Sequence, residues 1–152
     1  MSQINDYIAG WLSHRNALIA LLDTVTDDQV SYTPWEGAMS FGKLVTHIVD
    51  STDMFAKIVR DEAPNKGAEA EAFTSVGELK NYVQAKTEAT KSTLASITDE
   101  QLSKIVTFST MQMPGMAMLQ MAKEHEIHHK GQLFTYARII GVKELPFFVS
   151  RP

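Results

Sequence analysis

Apolar side chains recur at intervals of three and four along most of the chain, with polar residues filling the positions between. Ile4, Ile8, Trp11, Leu12, Leu18, Ile19 and Leu22 form one such stripe, which predicts an amphipathic helix over residues 5–23. A second helix is predicted to start after Ser40, a good N-cap residue. Its apolar side carries Phe41, Leu44, Val45, Ile48, Phe55, Ile58 and Val59. Pro64, Asn65 and Gly67 are expected to end it, and residues 66–72, small and acidic, read as a solvated loop. Ser75-Val76-Gly77-Glu78 is a capping box that opens a third helix bearing Val76, Leu79, Val83, Leu94 and Ile97. A fourth is predicted over residues 116–140, with Gly141 as its stop. Alternation typical of a strand is confined to a short piece at residues 105–108. Past the fourth helix the tail carries Phe147 and Phe148 and ends in Arg151-Pro152.

Four helices with one apolar face each can bury those faces only against one another, so the expected fold is all-α, a four-helix bundle. A length of 152 residues fits one domain over 1–152 with a core that needs no staples. The chain also contains a weak internal repeat. The segment from Leu22 to Ser31 resembles that from Leu94 to Ser103, and each contains Thr-x-x-Gln, the pattern that starts a short helical turn. Two helix ends using the same turn chemistry account for this. A pair of related helical hairpins would also bring the second and fourth helices into equivalence.

Composition narrows the chemistry. The chain has no Cys, which excludes disulfide scaffolds, thiolate zinc sites, iron–sulfur clusters and a cysteine nucleophile. A net charge of −4 argues against nucleic acid or anionic lipid as partners. No apolar run approaches a membrane span, and Met1-Ser2-Gln3-Ile4-Asn5-Asp6 lacks the basic and apolar regions of a secretory signal. A cytoplasmic location is therefore the expectation.

Three of the five histidines fall within five residues, at His125, His128 and His129. On a helix His125 and His129 lie about 40° apart on one face, the geometry in which imidazoles on adjacent turns hold one metal ion. His128 is also within reach of His125, so spacing alone leaves the pair open. A third ligand is required, and His47, bordering the apolar stripe of its helix, should point inward. A core histidine bonded to a neighbouring side chain is the other reading of His47. His14 lies among Ser13, Arg15 and Asn16 and is expected at the surface. A solvated, charge-laced helix face is the plain reading of Lys123, Glu124, Glu126 and Lys130. Asp50, Glu124, Glu126 and His128 are the candidate hydrogen-bonding groups around a metal, and the three carboxylates among them are the candidates for a general base.

The run from His125 to His129 also matches H-E-x-x-H, the zinc-protease signature, with Glu126 as its base. Its surroundings do not fit. Gln132 and Thr135 occupy the glycine and third-histidine positions of the extended motif. The 23 residues after His129 contain one carboxylate, Glu144, beyond the helix.

Two segments together resemble a known family. Thr33 to Ile48 is similar to the P-x-E-G-x-x-S-x-x-x-L-x-x-H-I stretch of the DinB/YfiT-like superfamily. His125-x-x-x-His129-Lys130-Gly131-Gln132-Leu133, with Arg138 and then Gly141 to Pro146 behind it, resembles that family's H-x-x-x-H-R-G-Q segment. Lys130 departs from it, standing where the family usually has Arg. The resemblance spans nearly the whole chain. It implies a DinB-like bundle that binds a divalent metal, Zn or Ni being the metals expected, through His47, His125 and His129, with His128 as a neighbour. It further implies a homodimer and a small-molecule substrate. Family activities include S-transfer from low-molecular-weight thiols such as bacillithiol, so a thiol is a candidate second cofactor. Metal-dependent hydrolysis and a non-enzymatic metal-binding bundle are the alternatives. A run of methionines (Met111, Met113, Met116, Met118, Met121) reads as core packing, or else as the lining of an adaptable pocket.

Overall fold

A computed structural model describes residues 2–63 and 73–150. Helix α1 covers Gln3–Leu22, α2 Phe41–Arg60 and α3 Val76–Ala95. A short α4, Asp99–Ser103, leads into strands β1, Ile105–Phe108, and β2, Met111–Pro114, and the long α5 runs from Gly115 to Ile139. Helix α2 packs chiefly against α5 and α3, and α1 against α3 and α5, which makes the expected bundle. None of the described helices is long and apolar enough to cross a membrane.

Local chemistry explains the helix starts. Ser2, Ser40 and Ser75 each cap a first turn by accepting from the backbone N–H three residues on. The two Thr-x-x-Gln segments are capping boxes, at Thr26/Gln29 ahead of a 3-10 turn and at Thr98/Gln101 ahead of α4. Helix α2 ends with Asp61 in the left-handed region, φ 66°, where the Asp61 and Glu62 N–H groups bond back to Ile58 and Lys57. The expected stop signals Pro64, Asn65 and Gly67, the loop at 66–72 and the terminal Arg151-Pro152 lie outside the described residues.

The region before α5 differs from expectation. Residues 105–108 do form a strand, but it pairs antiparallel with Met111–Pro114 in a two-stranded hairpin. Met111 and Met113 therefore sit on a strand. Met118 is fully buried, and Met113, Met116 and Met121 pack against the core, so these four serve packing, whereas Met111 is exposed. Gly115 makes the passage from β2 into α5 possible. A Cβ there would run into the Gln101 carbonyl and come within 2.9 Å of Val59 Cγ1. We expect Gly115→Ala to destabilise the fold by about 1–3 kcal/mol in urea unfolding, because the obstacle is backbone and cannot swing aside.

The core is divided along the bundle axis. One apolar cluster includes Leu18, Leu22, Phe41, Leu44, Ile48, Leu79 and Leu133. The other includes Ile4, Trp11, Phe55, Leu94, Met118 and Leu119. Between them, at one level on all four long helices, lies a buried polar layer: Arg15 on α1, Thr52 and Asp53 on α2, Thr87 and Thr90 on α3, Glu126 and Lys130 on α5.

Candidate metal centre

Helices α2 and α5 bring the candidate ligands together. His47 lies in the second turn of α2, past the Ser40 cap, and His125 and His129 occupy successive turns of α5. One ring nitrogen from each of the three falls within 4.8 Å of the other two. The ring centroids are 4.5 Å apart for His125 and His129, and 4.9 Å apart for His47 with either. His128 is exposed and stands edge-on to His129 at 4.8 Å, outside the triad.

The donor set fits a divalent ion. His47 Nε2 and His125 Nε2 are 3.1 Å apart. Ligand nitrogens about 2.1 Å from one ion are separated by about 3.0 Å at a right angle and about 3.4 Å at the tetrahedral angle. His129 Nδ1 donates to Gln132 Oε1 at 2.7 Å, which leaves the lone pair of its other nitrogen free. His125 Nδ1, by contrast, is buried without a hydrogen-bond partner among the described residues. Such an orphaned atom lowers stability, so this cluster is not arranged for folding alone.

Burial favours the neutral form of two of the rings, His47 and His125. Burial holds His125 down at about 4, with His129, His47 and His128 acting in the same direction against Glu126. Burial lowers His47 too, reinforced by His129 and opposed by Asp50. The folded values lie below the unfolded one, so between them the unfolded chain binds more protons and stability falls as pH falls. For metal-stripped protein we expect the urea midpoint to hold steady above pH 6.5 and to drop from there toward pH 4. His125→Asn should flatten part of that drop, and a level profile in the unsubstituted protein would contradict the assigned shift.

The other candidates have different roles. Glu126 is not on a solvated face: it is fully buried, and its carboxylate accepts from Arg15 Nε and Nη2, both at 2.8 Å, and from Trp11 Nε1 and Thr52 Oγ1, both at 3.0 Å. A carboxylate so occupied is not available as a base. Arg15, expected among polar surface residues, is likewise fully buried, with Nη1 donating to Thr87 at 2.8 Å. Asp50 accepts from the Tyr82 hydroxyl and faces Lys86 at 3.8 Å. Glu124 is exposed. Lys130 is buried instead of solvated. Its ammonium donates to the Phe148 carbonyl and lies 2.9 Å from His14 Nδ1, so His14 is half-buried and not a surface residue. The tail that Lys130 holds is also tied by Ser150 N–H to the Ser13 carbonyl.

Beside the triad, His129 forms part of the wall of a cleft of about 330 Å3. Sequence reasoning identified neither this cleft nor the support of His129 by Gln132, although Gln132 lies three residues on, one helical turn away.

Comparison with known proteins agrees with this architecture. The uncharacterized protein YjoA of Bacillus subtilis strain 168 is 38% identical over 157 residues, covering 99% of each chain. The crystal structure of YjoA, a DinB-like protein, superposes with a TM-score of 0.84 at 36% identity, covering 97% of this chain and 100% of that one. A DinB-like protein from Bacillus cereus ATCC 10987 shares the fold, with a TM-score of 0.80 at 22% identity over 93% of this chain and 95% of its own. A conserved protein from Enterococcus faecalis does so at 0.74 and 18% identity, over 94% and 99% of the two chains. The sequence model of the DinB family matches residues 1–151, and with that match and the YjoA relationship the chain belongs to the DinB family.

Proposed function

We propose that the protein is a metal-dependent S-transferase that uses a low-molecular-weight thiol, with His47, His125 and His129 holding the ion. The observation that carries this reading is the meeting of three imidazoles beside a cleft whose described lining carries no charged side chain, with the Glu126 and Asp50 carboxylates already engaged. Zinc and nickel both suit an all-imidazole set. A divalent ion bound there lowers the pKa of a thiol that ligates it, supplying thiolate near neutral pH. Three protein ligands leave room for that thiol, and the absence of Cys from the chain fits a nucleophile that comes from outside. Gln132 fixes the tautomer and rotation of His129. The Glu126–Arg15 pair fixes the face of α5 from which His125 and His129 project.

The test is a thiol panel (bacillithiol, glutathione, cysteine) with the chromogenic electrophile 1-chloro-2,4-dinitrobenzene, using zinc- and nickel-loaded protein. At least one thiol should react at least a hundredfold faster than without protein, and His125→Ala should abolish the gain. A hydrolytic reading draws on His128, an exposed imidazole adjoining His129, as proton acceptor. Turnover of nitrophenyl esters with no thiol dependence would favour it. Silence in both assays would favour a non-enzymatic metal-binding bundle. Homodimerisation, part of the same proposal, is read by sedimentation equilibrium.

A further inference from the structure

The cleft at His129 has a chemical character of its own. It is lined by Pro34, Trp35 and Met39 from the loop ahead of α2, and by Tyr136 and Ile139 from the end of α5. None of its described lining residues is Asp, Glu, Lys or Arg. Trp35 is 65% exposed and Ile139 59%, so two large apolar side chains of one cleft face solvent. The walls are nevertheless fixed. Tyr136 Oη donates to the Met39 carbonyl at 3.0 Å and meets Tyr32 edge-on at 5.8 Å. The loop is closed by Ala38 N–H to the Trp35 carbonyl at 3.2 Å and by Phe41 N–H to the Tyr32 carbonyl at 2.9 Å. Burial raises the Tyr136 phenol above its usual range, so that group stays uncharged as well.

The hydrogen bonds the cleft can offer are also biased. Gln132 Oε1 is taken by His129, leaving its amide N–H groups as donors, and the Thr135 hydroxyl donates to the Gly131 carbonyl. A preformed apolar cleft of about 330 Å3 with an exposed indole, a donor amide and no charge suits a small, flat, neutral molecule bearing an acceptor group. We infer that this cleft is the subsite for the electrophilic substrate, and that the substrate class is uncharged aromatic or conjugated compounds carrying a carbonyl or nitro group. The substrate role rests on the metal-centre reading above; the binding preference does not.

Trp35 reports on its own cleft. The second tryptophan, Trp11, is fully buried in the core. Nitrobenzene, neutral and a quencher of indole, is the probe, and 4-nitrobenzoate is its charged counterpart. Metal-free and zinc-loaded protein are both titrated by fluorescence, and zinc uptake is measured in parallel. Saturable quenching by nitrobenzene is expected, with 4-nitrobenzoate at least tenfold weaker. Ile139→Glu, at an exposed position that the fold does not need, should weaken nitrobenzene at least tenfold, and Trp35→Phe should remove the signal. Non-saturable quenching, equal affinity for the two probes, or an unchanged Ile139→Glu would each overturn the proposal. Trp35 emission that shifts with protein concentration alone would assign the cleft to a second copy of the chain and overturn it too. Normal zinc uptake without nitrobenzene binding would refute the subsite and leave the metal centre standing. Nitrobenzene binding without zinc uptake would support the cleft and refute the metal reading.

Discussion

Arg15→Ala is expected to destabilise the protein by about 3–5 kcal/mol, measured by urea unfolding at neutral pH. Its guanidinium supplies two of the four hydrogen bonds that Glu126 accepts, and both side chains are fully shielded from water. Removing it leaves a buried carboxylate with only the Trp11 indole and the Thr52 hydroxyl as donors. Against a typical stability of about 5–15 kcal/mol, the variant would be largely unfolded or close to it. Arg15→Lys should fall in between, since an ammonium keeps the charge but cannot present the fork that engages both carboxylate oxygens. The paired change Arg15→Met with Glu126→Leu should recover much of the loss, because no charge is then left unpaired. A loss below about 1 kcal/mol for Arg15→Ala would mean that the carboxylate finds other solvation, and would remove the pair from any account of helix placement.

The second large effect concerns metal. Elemental analysis of protein dialysed against zinc should find one equivalent per chain, and His47→Ala, His125→Ala and His129→Ala should each weaken binding by more than a hundredfold. Loss of a hydrogen-bond partner around a metal typically costs about 10–100-fold, so loss of a ligand should exceed that range. His128→Ala should retain full stoichiometry, since its ring stands outside the converging set. Stoichiometry abolished by His128→Ala alone, or absent from the unsubstituted protein, would show the site to be wrongly assigned. The three alanine variants should keep their helical circular dichroism, because the histidines are half-buried and lie outside both apolar clusters.

Much of this was legible in residue spacing. The helix stripes located all four long helices to within a few residues, because apolar periodicity reports the buried face directly. The meeting of His47 with His125 and His129 was readable only with the family resemblance added, since spacing could not separate His128 from His129. The β2 strand was hidden because Met111 and Met113 look helical in composition, and strand pairing depends on a partner rather than on local preference. Arg15 and Glu126 were misjudged by residue type, although their positions announced them. Trp11, Arg15 and Leu18 follow the same four–three spacing as the rest of the α1 stripe, and Leu119, Ala122, Glu126, Lys130 and Leu133 do so on α5. A charged residue in phase with a buried stripe is a buried charge awaiting its counterpart. The cleft escaped notice because it joins a loop to a helix end about a hundred residues away, and no local pattern encodes that approach.

The polar layer also guards against slippage. Apolar clusters above and below it are tolerant surfaces on which one helix could slide by a turn, about 5.4 Å, with modest loss of packing. A one-turn slip of α5 would exchange Glu126 for Lys130 or Ala122, setting an ammonium against the Arg15 guanidinium in one direction and leaving that guanidinium without its carboxylate in the other. The same slip would move one of the two α5 histidines out of reach of His47. One buried charge pair thus ties the vertical alignment of the bundle to the completeness of its histidine site, and a misaligned chain forfeits both together.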